Sequence, residues 1–105
     1  MIFMSQSGIT DASRERDWDR WYFDHLALMV SVKGIGSAQR FKTSTPGFPP
    51  SLAMYSVATP DVFQDPYYLS VRGMGEWLSL IDRQYYKRNH RVRVLGDALD
   101  QSEHL

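Results

Sequence analysis

The chain contains no cysteine and no long apolar run, and its charges cancel. Without cysteine, disulfide bonds, thiolate metal ligands and cysteine nucleophiles are excluded, and the composition is compatible with the cytoplasm, where we expect the protein. No apolar stretch approaches the roughly 20 residues that cross a bilayer. Residues 1–4 form one short apolar run without a cleavage site, so we expect neither a signal peptide nor a membrane partner.

Several kinds of functional motif are also missing. The three histidines, His25, His90 and His104, lack the spacing of a metal site, and no metal is predicted. Gly34-Ile35-Gly36 has no third glycine and precedes a predicted strand, so it does not match a phosphate-binding loop. A Gly-x-Ser-x-Gly nucleophile elbow is absent as well. The sequence therefore predicts no cofactor.

The composition is that of one small globular domain. The chain has 105 residues, of which 43% are hydrophobic and 23% charged, and this is enough to bury a single core. We predict one domain over residues 1–95, followed by a polar, flexible tail over residues 96–105. Aromatic residues make up 13% of the chain, more than a small core needs, which indicates a pocket or an interface.

The clearest periodic segment is a helix that carries a histidine on its apolar face. The spacing of the bulky residues is 3, 1, 3, 1 and 3, which predicts one stripe of an α-helix over residues 12–29. His25 therefore points toward the core or a cavity, where a neutral imidazole can act as base, acid or hydrogen-bond donor. The stripe consists of Trp18, Trp21, Tyr22, His25, Leu26 and Met29.

The remaining segments predict an antiparallel sheet with helices on one face. A short strand over residues 2–4 is followed by a turn-rich stretch, and further strands are predicted over residues 35–43, 51–58 and 85–95. In the second strand we expect Ile35, Ser37, Gln39 and Phe41 to share one face. A helix begins near Pro60, and Pro66 divides it into two short pieces. The order is β-α-β-β-α-β, the split βαβ arrangement of an α+β fold.

Such a sheet has one face without helices. An exposed apolar sheet face in a small domain needs a cover, and two-fold pairing of two sheets provides one. The sequence therefore predicts a homodimer formed through the sheet face.

Three segments carry a resemblance to a known family. Trp21-Tyr22-Phe23-Asp24-His25-Leu26 is similar to the helix-one motif of EthD-like proteins in the dimeric α+β barrel superfamily. The segments over residues 34–41 and 50–55 resemble the strands that follow it, in the same order, so the resemblance covers roughly residues 18–70. Phe23 departs from the pattern, which usually has an acidic residue there.

The resemblance implies a ferredoxin-like monomer, a barrel formed by dimerisation, and a small-molecule pocket between helix one and the sheet. Members of the superfamily include isomerases, polyketide cyclases, monooxygenases that need no metal, and proteins without known activity. The fold alone does not choose between these activities.

The candidate catalytic residues are His25, Tyr22 and Tyr55. His25 is a candidate general base or acid, although a buried histidine bonded to a carbonyl or to Asp24 fits the pattern too. Tyr22 and Tyr55 can donate to a developing oxyanion, and each can equally be a core residue. Arg40 can bind a carboxylate through paired hydrogen bonds, or it can form a cross-strand or interface ion pair.

Further candidates would contact a ligand without acting on it. Trp18, Trp21 and Trp77 would form an aromatic wall, or they would pack the helices on the sheet. Tyr86 and His90 share a face of the last strand, which can also be a charged edge strand. The nearby basic residues raise the alternative of RNA binding, but the strand over residues 51–58 offers one aromatic residue where RNA-recognition domains need several. We expect no nucleic-acid partner.

Together these observations predict a protein that binds a small organic acid, lactone or aromatic compound. The leading hypothesis is isomerisation, cyclisation or a lyase step, begun when His25 removes a proton next to a carbonyl. The alternatives are a non-catalytic binding or accessory protein that uses the same pocket, and a cofactorless monooxygenase.

Overall fold

A computed structural model describes residues 1–82 and residues 89–92. Within these ranges the strands and α-helices are β1 (Ile2–Ser7), α1 (Glu15–Val30), β2 (Ile35–Lys42), β3 (Ser51–Val57), α2 (Pro66–Val71) and β4 (Asn89–Val92). Three short 3₁₀ helices span Ala12–Arg14, Pro60–Gln64 and Gly75–Leu80. The described part of the chain is thus a small α+β structure, as predicted.

The strands form one antiparallel sheet in the order β2-β3-β1-β4. β1 lies between β3 and β4, so that Ile2 is opposite Ser56 and Ser7 is opposite Ser51, while Met4 pairs with His90 in β4. β3 pairs with β2 on its other side. This topology is compatible with a ferredoxin-like α+β fold.

The first strand is longer than the sequence predicts. The turn expected after Met4 is wrong, because the strand continues to Ser7. Ser5, Gln6 and Ser7 pair with consecutive residues of β3, and the side chain of Ser7 is buried. Pairing with a neighbouring strand outweighs the weak strand preference of these polar residues, since strand preference depends strongly on context.

A bulge in β2 changes which side chains share a face. Ile35 is opposite Val57, but Ser37 is opposite Ser56, so Gly36 is an extra residue in β2. Ile35 is buried in the core, whereas Phe41 is half exposed. The expectation that Ile35 shares a face with Phe41 is therefore wrong, because one extra residue reverses the alternation of side chains.

Helix α1 covers the sheet with the predicted stripe. The side chains of Trp18, Tyr22, His25 and Met29 are buried. The preceding 3₁₀ turn is capped by Asp11, whose side chain accepts a hydrogen bond from the Ser13 amide. The chain leaves the helix through Gly34, whose φ of +97° lies in the region that favours glycine.

The segment after β3 packs on the same face of the sheet as α1. It is a 3₁₀ helix over Pro60–Gln64 followed by α2, which begins at Pro66, so the predicted division at Pro66 is confirmed. Asp65 caps α2 by accepting a hydrogen bond from the Tyr67 amide. Phe63 packs edge-on against Phe3 of β1, with ring centroids 5.3 Å apart.

Two predicted segments lie wholly or partly outside the described ranges. The strand predicted over residues 85–95 is described only as Asn89–Val92, and the predicted tail over residues 96–105 falls outside the description. No helix within residues 1–82 is long and apolar enough to cross a membrane.

Candidate functional site

A cavity of about 480 Å³ lies between α1, the sheet and the segment that contains α2, within the usual size range of small-ligand sites. The sheet contributes its floor, α1 one wall, and α2 with the following turn the opposite wall. The lining residues are Phe3, Ser5, Tyr22, His25, Met29, Tyr55, Tyr68, Arg72, Gly73 and Met74. All three predicted catalytic residues therefore line one cavity.

His25 reaches the cavity from α1 with its ring held by aromatic neighbours. The imidazole stacks on the Trp21 indole, with ring centroids 4.7 Å apart and planes inclined by 11°. It also meets the Tyr22 ring edge to face, at 5.9 Å. The residue is only 7% exposed. Burial lowers the pKa of His25 below its ordinary value, so the neutral imidazole is favoured near neutral pH.

No residue in the described ranges forms a hydrogen bond with the imidazole of His25. The adjacent Asp24, one of the partners that the sequence left open, is exposed on α1. The ring nitrogens are not fully buried either, so water or a ligand can reach them. The ring nitrogens of His25 are thus available to a molecule in the cavity.

Tyr22 and Tyr55 place two phenol groups in the cavity wall and floor. Their side chains interact with each other. Burial raises the pKa of Tyr22, against the opposing charge of Arg40. Burial, reinforced by the Tyr22 phenol, raises the pKa of Tyr55 far above its ordinary value. Both phenols therefore keep their protons at neutral pH, and the phenol that does not donate to the other can donate a hydrogen bond to a ligand oxygen.

Arg40 does not line the cavity, but it packs against Tyr22, which does. Its Nη1 donates to Asp19 at 2.7 Å and its Nε donates to Ser51 at 2.7 Å. The guanidinium carbon lies 4.5 Å from the centre of the Trp18 ring and 4.2 Å from that of Tyr22. These contacts occupy Arg40 in an ion pair between the sheet and α1, which is neither the cross-strand nor the interface pair that the sequence left open, and they fix the position of Tyr22.

The three tryptophans do not line the cavity either. Trp18 is fully buried beside Arg40, and Trp77 lies under the Arg14 guanidinium at 4.6 Å. Trp21 acts one layer behind the cavity, as the platform on which His25 stacks. The aromatic wall of the cavity consists of Phe3, Tyr22, Tyr55 and Tyr68 instead.

The remaining predicted ligand contacts fall in the last part of the chain. His90 lies in β4, opposite Met4 in the register, and Tyr86 lies outside the described residues. Their proposed contacts with a ligand stay predictions.

Tyr68, Arg72 and Met74 are among the cavity residues that escaped the sequence reasoning. Tyr68 lies on the buried side of α2, and its spacing of five from Phe63 is hidden by the break at Pro66. Arg72 and Met74 lie in a turn in which Gly73 has a φ of +95°. The sequence predicts that turn as a flexible break, but its composition carries no signal that the flanking side chains reach a cavity.

The described lining groups combine one neutral base, several phenol and hydroxyl donors, and one cation. Such a set can bind a polar ligand and move a proton at a carbon atom next to a carbonyl. Within residues 1–82 no three histidine or acidic side chains come together as metal ligands.

No protein-family model matches the chain, and no curated protein is detectably similar to it.

Proposed function

We propose that this chain is an EthD-like protein that binds a small organic acid, lactone or aromatic compound and transfers a proton with His25, without a cofactor. One observation carries the proposal: an imidazole without a hydrogen-bond partner in the described ranges faces a cavity of about 480 Å³. A buried titratable group with a perturbed pKa in a pocket is typical of functional sites.

In the proposed reaction, neutral His25 removes a proton from the carbon next to a ligand carbonyl. The electron pair of the broken C–H bond forms an enolate, and the phenol of Tyr22 or Tyr55 donates a hydrogen bond to its oxygen. The imidazolium then returns the proton to another carbon atom, as in an isomerase, or to a leaving group, as in a lyase. A positioned base of this kind contributes about 10²–10⁴-fold to the rate.

A second candidate function is ligand binding without turnover. It is favoured by one feature of the site: no carboxylate of the described residues orients His25 or stabilises its protonated form. Catalytic histidines commonly have such a partner. A binding protein would use His25 only as a hydrogen-bonding group.

The first experiment is a proton NMR titration of the three histidines, assigned with His25→Gln, in the presence of a panel of small carboxylic acids, lactones and aromatic compounds. We expect the His25 signal to titrate below the ordinary value of 6.5 and to shift when a ligand binds. A His25 signal that ignores the whole panel would contradict the proposal.

Deuterium uptake separates catalysis from binding. Ligands from the panel that carry a carbonyl are incubated with the protein in deuterated water, and exchange at the neighbouring carbon is followed by NMR. The wild type is expected to exchange about 10²–10⁴-fold faster than His25→Gln. His104→Gln is the matched control, since His104 belongs to the predicted tail. Binding without exchange would select the second function.

We also propose the complete ferredoxin-like arrangement and a two-fold dimer that pairs the open sheet faces. The support is the composition of that face. Phe41 is 50% exposed, and the apolar side chains of Leu52 and Met54 are partly exposed. Covering such a surface with a second copy removes apolar area from water.

A further inference from the structure

Arg72 is the one permanent charge among the described residues that line the cavity. The other lining groups are apolar, hydroxyl or phenol side chains, together with His25, and no aspartate or glutamate is among them. Arg72 itself is exposed, so it lies at the open edge of the cavity, where water screens part of its charge. The described lining therefore carries one positive charge and no negative charge, although the chain as a whole is neutral.

The guanidinium of Arg72 is also available. No carboxylate within residues 1–82 pairs with it, whereas Arg14 and Arg40 form ion pairs. Exposed cations such as Arg20 also lack an ion pair in the described ranges, so the lack of a partner does not by itself indicate a binding site. What distinguishes Arg72 is its position at a cavity that contains an unpartnered imidazole.

The turn that contains Arg72 has a defined shape. Arg72 ends α2 in an extended conformation, with φ of −70° and ψ of 165°. Gly73 then reverses the chain with a φ of +95°, and Met74 lines the cavity again. Gly75 follows with a φ of +55°, and a Cβ there would lie 3.8 Å from the Trp21 ring. The turn thus runs from Arg72 to the Trp21 indole, on which the His25 ring stacks.

We infer that the cavity binds a small organic monoanion, with its carboxylate or enolate group on Arg72 and its apolar body against Phe3, Met29 and Tyr55. The inference rests on the proposed function and narrows its ligand class. A guanidinium matches a planar carboxylate with two parallel hydrogen bonds. A single arginine suits one negative charge better than a phosphate dianion. Arg72 thereby replaces Arg40 as the carboxylate-binding residue.

The test compares acids with their neutral amides of the same shape. Benzoate and cinnamate, with benzamide and cinnamamide, are titrated into the wild type, Arg72→Gln and Arg20→Gln, and the His25 ring signal is followed by NMR. We expect the acids to bind the wild type at least tenfold more tightly than the amides. Arg72→Gln should weaken the acids about tenfold or more and leave the amides unchanged. Arg20→Gln, an exposed arginine on α1, should behave as the wild type.

The outcomes separate this inference from the proposed function. If acids and amides shift His25 with equal affinity in the wild type, or if Arg72→Gln binds the acids normally, the inference is overturned and the small-molecule pocket stands. If neither acids nor amides shift His25, both are overturned. Circular dichroism of Arg72→Gln checks that the fold is kept, as expected for an exposed side chain.

Discussion

Trp21 lies flat against His25, with 4.7 Å between the ring centroids and 11° between the planes. The two residues are four apart on α1, so the helix itself brings their side chains together. The indole covers one side of the imidazole and leaves its edge to the cavity. This contact contributes to the burial that lowers the pKa of His25. Trp21 therefore affects the proton affinity of His25 although it does not line the cavity.

Replacing the indole should raise the pKa of His25. In Trp21→Leu the imidazole gains water, and its pKa should move up toward the ordinary 6.5. An NMR titration of the ring proton measures the change. Phe23→Leu, on the exposed side of the same helix, is the control and should leave the pKa where it is. A pKa that stays constant or falls in Trp21→Leu would show that the indole does not desolvate His25.

The stability of the fold should depend on the protonation of His25. Its pKa is lower in the folded state than in the unfolded chain, so the unfolded chain takes up the proton first as the pH falls. Stability is therefore full above about 6.5 and declines as the pH falls toward the folded pKa. Urea unfolding at a series of pH values measures the decline. In His25→Gln the unfolding free energy should fall less over the same pH range. An identical decline in this variant would show that other groups cause it.

Arg40 should matter more for stability than its neighbour Lys42. Arg40→Gln loses a bond to Asp19, a bond to Ser51 and contacts with two rings, at a cost of about 2–3 kcal/mol in unfolding free energy. Lys42→Gln loses more exposed ion pairs and should cost at most about 1 kcal/mol. Urea unfolding compares the two variants. Equal losses would contradict a supporting function for Arg40.

Gly34 should tolerate no side chain. Its φ is +97°, and an added Cβ would lie 2.5 Å from Cγ2 of Val62. Gly34→Ala should therefore cost about 3 kcal/mol, of which about 1–2 kcal/mol comes from the left-handed backbone. Gly47 has a φ of +88° with no atom within 4 Å of an added Cβ, so Gly47→Ala should show the backbone part alone. Thermal unfolding of both variants tests the difference.

The proposed dimer should dissociate when a charge enters the open sheet face. In size-exclusion chromatography with light scattering, the wild type should have twice the chain mass of 12.2 kDa. Met54→Lys, in the middle of that face, should have the mass of one chain. Phe23→Lys, on the solvent side of α1, is the matched control and should remain dimeric. A wild type of single mass at high concentration would refute the dimer.

The sequence predicts those parts of the fold that depend on local patterns. The 3.6-residue spacing on α1 predicts that Trp18, Tyr22 and Met29 are buried, and they are. Pro66 predicts the division of the second helical segment, because proline cannot continue a helix. The extension of β1 to Ser7 and the bulge at Gly36 could not be predicted, since both depend on pairing with β3.

The candidate site is predictable to a similar extent. His25, Tyr22 and Tyr55 could be named because each lies on the inner face of a regular element. Arg72 could not, because a side chain in a turn points where the backbone of that turn directs it, and no periodicity reports that direction. For Arg40 the residue type was misleading. An arginine can bind the carboxylate of a ligand, but this one already binds the carboxylate of Asp19.

The ion pairs that join α1 to β2 also affect how a molecule can reach the cavity. Lys42 bonds Glu15 and Asp19, and Arg40 bonds Asp19 again, so separating this helix from the sheet breaks every one of these pairs. The opposite wall ends in Arg72, Gly73 and Met74, which form no ion pair in the described ranges. Movement of this turn would therefore break fewer ion pairs than movement of α1, and we expect a molecule to enter or leave the cavity past the turn rather than past the helix.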